Sequence, residues 1–164
     1  MHIKSEIKFG IKKVIFNYYD SDDFSGIDRD KVSQAYGVCF LGEQVILVTY
    51  DEDKPNFPGG TVEPGENFEE AFLREIEEET NCKVLSHLPI GYQVVDELDR
   101  EKHVQVRYVA KVKRIGDFVV DPGGTVKGNI AVSPQEVNGL TGYGKIGERM
   151  IERALEIKHR LDAS

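Results

Sequence analysis

The chain has 164 residues, of which 40% are hydrophobic and 30% are charged, a composition typical of a soluble globular protein. Its formal net charge is −8, which argues against binding along a nucleic-acid polymer because such binding depends on a basic surface. No apolar run is long enough to cross a bilayer, and the N-terminus lacks the apolar segment of a signal peptide. We therefore expect a cytoplasmic protein in which residues 1–164 form one domain.

The two cysteines, Cys39 and Cys82, both lie among apolar residues. In a cytoplasmic protein this setting favours a reduced, buried pair over a disulfide. We expect both thiols to behave as small hydrophobic side chains.

Three strands are predicted in the first fifty residues. Residues 8–16 are rich in β-branched and aromatic side chains and are predicted to form one strand. A polar loop follows at residues 20–30. Residues 35–40 and 44–50 are predicted as two further strands joined by a hairpin turn.

A loop rich in proline and glycine, residues 51–66, leads into a helix predicted over residues 68–80. Asn67 is suited to cap this helix. Glu70, three residues later, is expected to complete a capping box.

Beyond this helix, residues 84–96 are predicted to be largely extended, residues 103–113 to form a strand and residues 116–128 to form a loop. Residues 133–136, Ser-Pro-Gln-Glu, predict the start of a short helix with a capping serine and a reciprocal glutamate. A C-terminal amphipathic helix is predicted from apolar residues at helical spacing: Ile146, Met150, Ala154, Ile157 and Leu161. Strands flanked by helices favour an α/β sandwich around a mixed sheet.

Helical geometry, at about 100° per residue, separates the glutamates of residues 68–80 into two groups. The apolar side chains that should pack inward are Phe68, Ala71, Phe72 and Ile76. Three glutamates continue this apolar stripe: Glu75, Glu78 and Glu79. Three others lie elsewhere and are expected to be solvated: Glu69, Glu70 and Glu77.

A solvated acidic face is the usual explanation of a glutamate-rich helix, but it accounts only for the second group. Carboxylates directed inward need cations, and three of them close together repel one another. Arg74 lies one turn before Glu78 and can supply one positive charge. The remaining negative charge predicts a hard divalent metal with oxygen ligands, Mg²⁺ or Mn²⁺.

Two turns directly before the helix support a metal site. Pro58 stiffens residues 57–60, and the glycines at 59 and 60 permit a close backbone approach, so that a carbonyl there can complete a metal's coordination. In residues 63–66, proline followed by glycine suits the centre of a type II turn. Each is an ordinary turn by itself, and only its position before the acidic helix favours the site.

The segment from Gly60 to Cys82 resembles the motif of the Nudix family, G-x5-E-x7-R-E-U-x-E-E-x-G-U, in which U is apolar. Gly60, Glu66 and residues 74–82 match it at fixed spacing. One position departs, because Asn81 stands where the family has glycine. After glycine, Asn best tolerates the left-handed conformation wanted there, so we expect the helix end to be retained.

The resemblance implies a three-layer α/β/α sandwich with a central mixed sheet. It also implies a set of metal ligands: Glu75, Glu78, Glu79 and the carbonyl of Gly60 (or that of Gly59). Glu66 is then expected to order the loop, and Arg74 to orient the carboxylates of the helix.

Hydrolysis of a diphosphate needs neutralised phosphoryl oxygens, a stabilised leaving group and a deprotonated water. We assign the proton acceptor to Glu78, with Glu75 as the alternative. Many members of the family take the base or a further ligand from a glutamate in a late loop. The corresponding stretch here offers Asp117 and Asp121 but no glutamate, which leaves the base open.

On the strand predicted over residues 103–113, three polar side chains share one face: His103, Gln105 and Arg107. Arg107 is a candidate phosphate contact, although a solvated position is the favoured interpretation for it and for its two polar neighbours. Tyr50 and Phe57 are assigned to the core at least as readily as to base stacking.

A nucleoside triphosphate, oxidised or not, is the leading substrate hypothesis, and ADP-ribose or another sugar nucleotide is the second. Pro89 lies too near the motif to match the proline typical of enzymes that favour ADP-ribose. A non-catalytic domain that senses a nucleotide is a third hypothesis, and the retained metal-binding set argues against it. A structural helical module is the fourth, and the inward glutamates argue against that. The sequence leaves the oligomeric state open, including a homodimer.

Overall fold

The computed structural model describes residues 1–117 and 124–161, in which eight strands form one mixed sheet. The strands are β1 (His2–Phe9), β2 (Lys12–Asp20), β3 (Val32–Leu41), β4 (Gln44–Thr49), β5 (Gly59–Thr61), β6 (Cys82–Glu97), β7 (His103–Arg114) and β8 (Gly128–Val132). Their order across the sheet is β1-β2-β6-β7-β3-β4-β8, with β5 paired to β3. The central strands β3 and β7 run parallel, and the other pairs run antiparallel.

The helices cover both faces of this sheet. They are α1 (Phe68–Thr80), α2 (Pro134–Thr141) and α3 (Gly144–Leu161), together with a 3₁₀ turn at Arg29–Lys31. Phe72 and Ile76 of α1 join a buried cluster on one face, and Met150 and Ala154 of α3 join a second cluster on the opposite face. The fold is therefore the predicted three-layer α/β/α sandwich. Within the described ranges, no helix has the length and apolar character to span a membrane.

β5 is a three-residue strand inside the segment that the sequence predicted to be entirely loop. It pairs with β3 so that Gly59 lies opposite Tyr36 and Gly60 lies opposite Ala35. The prediction missed it because a short strand of small residues carries no alternating apolar pattern. Its effect is to fix the glycine turn against a central strand.

The predicted single strand over residues 8–16 is wrong, because the N-terminus forms a hairpin. β1 pairs with β2 along its whole length, from His2 opposite Tyr19 to Phe9 opposite Lys12. The turn between them contains Gly10, whose φ of 63° is readily adopted by glycine. Similar β-branched and aromatic residues on both sides of Gly10 conceal this turn in the sequence.

The helix starts agree with the predictions in position and differ in detail. Asn67 caps α1 as expected, since its side chain accepts a hydrogen bond of 2.8 Å from the backbone N–H of Glu70. The Glu70 carboxylate accepts from the side-chain amide of Asn67, at 2.6 Å. Ser133 has the backbone conformation of a cap but makes no side-chain capping bond, so the predicted capping box of α2 is not formed.

Both cysteines are fully buried and unbridged, as predicted. Burial raises the pKa of the Cys39 thiol, and the neighbouring Cys82 adds to this effect. Both residues therefore serve as core side chains.

Candidate functional site

The inward face of α1 is the one that the sequence predicts. Its four apolar side chains are buried: Phe68, Ala71, Phe72 and Ile76. Three glutamates on the other side are exposed: Glu69, Glu70 and Glu77. The helix thus presents its remaining glutamates toward the protein.

These remaining glutamates differ in accessibility. Glu79 is buried, and its carboxylate accepts a hydrogen bond of 2.8 Å from the backbone N–H of Gly59. The side chain of Glu75 is 16% exposed and that of Glu78 is 35% exposed. The three carboxylates therefore run from a buried position to one that water reaches.

The glycine turn lies in direct contact with this acidic group. A Cβ atom on Gly60 would stand 2.6 Å from the carboxyl carbon of Glu75, so only glycine lets that carboxylate approach the backbone. Gly59 has a φ of 148°, which side chains rarely adopt, and a Cβ there would collide with the carbonyl of Ala35. Gly60 therefore permits the close approach of β5 to α1, and Gly59 permits the pairing of β5 with β3.

Arg74 connects the turn before α1 with the carboxylates on α1. Its Nε and Nη2 donate to the two oxygens of Glu66 at 2.8 and 2.9 Å. Its Nη1 donates to Glu75 at 3.0 Å and to Glu78 at 3.2 Å. Glu66 also accepts from the backbone N–H of Glu63 at 3.1 Å, which closes the turn.

This network shifts the titration of its members. The hydrogen bonds from Arg74 hold the pKa of Glu66 below its usual range, and the bond to Glu66 raises the pKa of Arg74 further. Through these contacts one guanidinium faces three carboxylates, so the cluster keeps surplus negative charge.

Residues 1–117 and 124–161 contain no group of three acidic, histidine or cysteine side chains already arranged around a single point. Arg74 binds Glu75 and Glu78, while the N–H of Gly59 holds Glu79. The donor set nevertheless suits a hard divalent cation, because carboxylate oxygens only accept and the Gly60 backbone lies against one of them. We regard the chemistry of these residues as compatible with Mg²⁺ or Mn²⁺.

Arg107 is buried, with 4% of its surface exposed, so the interpretation as a solvated strand arginine is wrong. Its Nη2 donates to Gln105 at 2.8 Å, and its guanidinium lies 4.9 Å from the centre of the Tyr36 ring. Burial lowers its pKa from the usual value. The neighbouring strand β3 supplies the covering ring, which sequence order alone did not reveal. Its predicted phosphate contact remains a prediction.

A row of glutamines beside Arg107 was largely missed. Gln105 is half-buried, and it receives a hydrogen bond of 3.1 Å from Gln93 on β6 and donates one to Gln34 on β3. His103, also half-buried, lies 2.6 Å from the hydroxyl of Ser33. Both Gln105 and His103 were expected to be solvated, and neither is fully exposed. The row spans three strands, of which β3 is distant in sequence from β6 and β7, so the pattern of a single strand shows only one part of it.

The remaining candidates divide between core and surface. Phe57 is 2% exposed and belongs to the core on the α3 face, while Tyr50 is half-buried. Asp117 is exposed, and its backbone carbonyl accepts a hydrogen bond of 2.7 Å from the Asn81 side chain. Asp121 lies outside the described residues. Asn81 adopts the left-handed conformation predicted for it, with φ 52° and ψ 39°.

The chain is similar in sequence to known proteins of one family. The family model of the NUDIX domain matches residues 31–153. A putative 8-oxo-dGTP diphosphatase of Bacillus subtilis (strain 168) is 32% identical over 109 residues, which cover 64% of this chain and 65% of that protein. A second putative 8-oxo-dGTP diphosphatase of the same organism is 36% identical over 72 residues, covering 43% of this chain and 48% of that protein.

Solved structures show the same fold. A pyrophosphohydrolase of Bacillus subtilis superposes with a TM-score of 0.70 at 22% identity, covering 93% of this chain and 96% of that one. A NUDIX hydrolase of Nitrosomonas europaea has a TM-score of 0.59 at 20% identity, covering 75% of this chain and 88% of that one. At these identities the likeness concerns the fold.

Proposed function

Because the chain belongs to the Nudix family, we propose that it is a metal-dependent hydrolase that cleaves the pyrophosphate bond of a nucleoside diphosphate-linked substrate. One observation carries the proposal. The carboxylates of Glu75 and Glu79 lie directly against the Gly59–Gly60 backbone, and Glu78 stands beside them at the surface. A solvated acidic helix has no reason to bring these groups to a glycine turn.

Glu75, Glu78 and Glu79, with the carbonyl of Gly60 or Gly59, would hold Mg²⁺ or Mn²⁺, which when bound neutralises phosphoryl oxygens, stabilises the leaving group and acidifies a water. Arg74 holds Glu75 and Glu78 in fixed orientations. Glu66 anchors Arg74 in turn, and it closes the turn at residues 63–66.

Glu78 is the best placed proton acceptor. Its side chain is the most exposed of the three, at 35%, whereas Glu75 is 16% exposed and pressed against Gly60. The water oxygen bonds to phosphorus, its proton passes to the Glu78 carboxylate, and the bridging oxygen leaves with the second phosphate. Glu75 is the alternative acceptor.

A nucleoside triphosphate, oxidised or not, is the proposed substrate. Two curated relatives are described as putative 8-oxo-dGTP diphosphatases, which supports a purine nucleotide. ADP-ribose or another sugar nucleotide is the second candidate, since the carboxylate site acts on the pyrophosphate and does not select what is attached to it.

The test is a hydrolysis panel with Mg²⁺ that contains ordinary and 8-oxo nucleoside triphosphates, ADP-ribose, dinucleoside polyphosphates and coenzyme A. We expect turnover of one class, and we expect Glu78→Gln to lower kcat by about 100-fold or more. Glu77→Gln is the matched control, because Glu77 is exposed on the same helix. It should retain the wild-type rate.

Two results would change the proposal. Tight nucleotide binding without turnover of any diphosphate indicates a sensor domain. Full activity of Glu78→Gln moves the proton acceptor to another residue, and Glu75→Gln then becomes the variant to measure.

A further inference from the structure

Three glutamines form a hydrogen-bonded row across the sheet face opposite α1. Gln93 on β6, Gln105 on β7 and Gln34 on β3 lie in register with one another. Tyr18 lies opposite Gln93 and belongs to the cluster on the α3 face, which places the row on that face. Buried polar atoms need hydrogen-bond partners, so the orientation of each amide in this row is set by its neighbours.

Arg107 determines the direction of this row. A guanidinium only donates, so the atom of Gln105 that faces Arg107 at 2.8 Å must be the oxygen. The same oxygen accepts from the amide nitrogen of Gln93 at 3.1 Å. The nitrogen of Gln105 must then point the other way, where it donates to the oxygen of Gln34.

This direction leaves N–H groups at the accessible end. Gln34 and Gln105 are half-buried, while Gln93 is 3% exposed. The Gln105 nitrogen has one further N–H, and both N–H groups of Gln34 make no hydrogen bond to a described residue. The oxygen of Gln93 lies at the buried end. The accessible part of the row therefore presents three N–H donors against one remaining lone pair, on the oxygen of Gln34.

The accessible end of the row lies next to β5, the strand that carries the glycine turn. Gln34 lies opposite Thr61 of β5, the residue after Gly60. A heterocycle bound at this end would lie next to the strand whose Gly60 contacts Glu75.

We propose that this row recognises the nucleobase and selects bases that carry a keto group at the contacting edge: guanine, hypoxanthine, uracil and 8-oxopurines. The proposal rests on the proposed function above. A keto oxygen or a ring nitrogen accepts the donors of Gln34 and Gln105, and the Hoogsteen edge of guanine offers two such acceptors. Adenine and cytosine place an amino group there, which would set donor against donor.

Arg107 is a positioning residue in this scheme. It touches Gln105, Val106 and Tyr36, and it acts on the base through the orientation of the amides.

The decisive variant is Gln34→Glu. A glutamate at this position keeps the oxygen that accepts from Gln105 but replaces the two N–H groups with an acceptor. For the wild type we expect kcat/KM for GTP and ITP to exceed that for ATP by about tenfold, the effect of one hydrogen bond. Gln34→Glu should lower the GTP to ATP ratio by a similar factor. Gln135→Glu makes the same change at an exposed site on α2 and should leave the ratio unchanged.

Binding of GMP and AMP, measured by calorimetry without metal, separates this inference from the proposed function. The inference predicts that GMP binds more tightly than AMP and that Gln34→Glu removes the difference. Equal affinities in the wild type, or an unchanged difference in Gln34→Glu, overturn it even if hydrolysis occurs. Absence of hydrolysis together with a GMP preference contradicts the proposed function alone.

Arg107→Gln provides a second test. A neutral amide at residue 107 can accept as well as donate a hydrogen bond, so the Gln105 side-chain amide is free to exchange the positions of its oxygen and nitrogen. We expect a reduced GTP to ATP ratio, read as a ratio so that any general change in rate cancels, with circular dichroism to verify the fold. A ratio equal to the wild type would show that Arg107 does not set the direction of the row.

Discussion

Arg74 donates hydrogen bonds to both carboxylate oxygens of Glu66, at 2.8 and 2.9 Å, although Glu66 precedes α1 and Arg74 lies within it. The same guanidinium reaches Glu75 and Glu78. Two parallel hydrogen bonds fix the plane of the guanidinium, so the orientation of the carboxylates on α1 depends on a residue outside the helix.

Arg74→Lys should therefore impair the site despite the retained charge. An ammonium group cannot hold Glu66 through two parallel bonds while also binding Glu75 and Glu78. Loss of a supporting contact of this kind typically costs about 10- to 100-fold in activity or metal affinity. Steady-state kinetics at several Mg²⁺ concentrations measure this, and Arg160→Lys, at an exposed position, is the control. Wild-type kinetics in Arg74→Lys would show that charge alone is sufficient.

Gly60→Ala should weaken metal binding. The added methyl group would lie 2.6 Å from the carboxyl carbon of Glu75 and would displace that side chain. We expect the Mg²⁺ concentration for half-maximal activity to rise about tenfold or more. Gly139→Ala is the matched control, because a Cβ there meets nothing within 4 Å and the residue lies in α2. It should be neutral or add up to about 1 kcal/mol of stability.

Removal of Mg²⁺ with a chelator should abolish turnover of every substrate and should be reversed by Mg²⁺ or Mn²⁺. The reason is the surplus negative charge on Glu75, Glu78 and Glu79, which repels a polyphosphate when it is not neutralised. Activity is measured before chelation, after it and after readdition. Turnover that persists in excess chelator would contradict a metal requirement.

Asn81 combines a strained backbone with a useful side chain. Its left-handed conformation costs a non-glycine residue roughly 1–2 kcal/mol, and its side chain offsets part of this by donating to the carbonyl of Asp117 at 2.7 Å. Asn81→Ala should lose about 1–2 kcal/mol in urea unfolding, because it keeps the strain and loses the bond. In Asn81→Gly the two effects largely cancel. Equal stability of all three proteins would show that neither effect matters here.

A partly buried ion pair joins β2 to α3 and should make stability depend on pH. The Nε and Nη2 of Arg149 donate to Asp20 at 3.1 and 2.6 Å. Burial alone would raise the pKa of Asp20, but the hydrogen bonds and charge of Arg149 outweigh it and lower the pKa below its usual 3.8. The contribution is therefore complete above about pH 3.8 and is lost as the pH falls through the lowered pKa.

Asp20→Asn should accordingly reduce the free energy of unfolding by about 1–2 kcal/mol at neutral pH, with the difference shrinking in acid. Denaturant titrations at a series of pH values measure it. Asp99→Asn removes a carboxylate that is 69% exposed and whose ion pair with Lys12 is long, at 4.0 Å, so it should have little effect. A difference that stays constant down to the lowest pH would mean that the pair contributes by shape and not by charge.

Local signals explain which features were predictable from the sequence. Helix α1 begins and ends where predicted. Each end is set by a residue directly next to it in sequence, Asn67 at the start and Asn81 at the end. The inward direction of its glutamates follows from helical periodicity. The N-terminal hairpin was missed because the strands on either side of its turn at Gly10 have similar compositions.

Features that join distant strands were not predictable in this way. Arg107 is covered by Tyr36, and the pairing of β3 with β7 that brings them together is a property of the whole sheet. The glutamine row likewise needs β6, β7 and β3 in register. A strand in isolation gives the face on which a polar residue lies, and it does not give what stands opposite.

The pairing of β5 with β3 has a consequence for the size of a bound molecule. Two steps between neighbouring strands separate β5, which carries Gly60, from β7, which carries Gln105. Each step is about 4.8 Å, so the sideways offset is roughly 10 Å. Main-chain hydrogen bonds set this offset, and side-chain movement cannot change it. A molecule that contacts both Gly60 and Gln105 must span this fixed distance, so it is selected by its length as well as by its chemical groups.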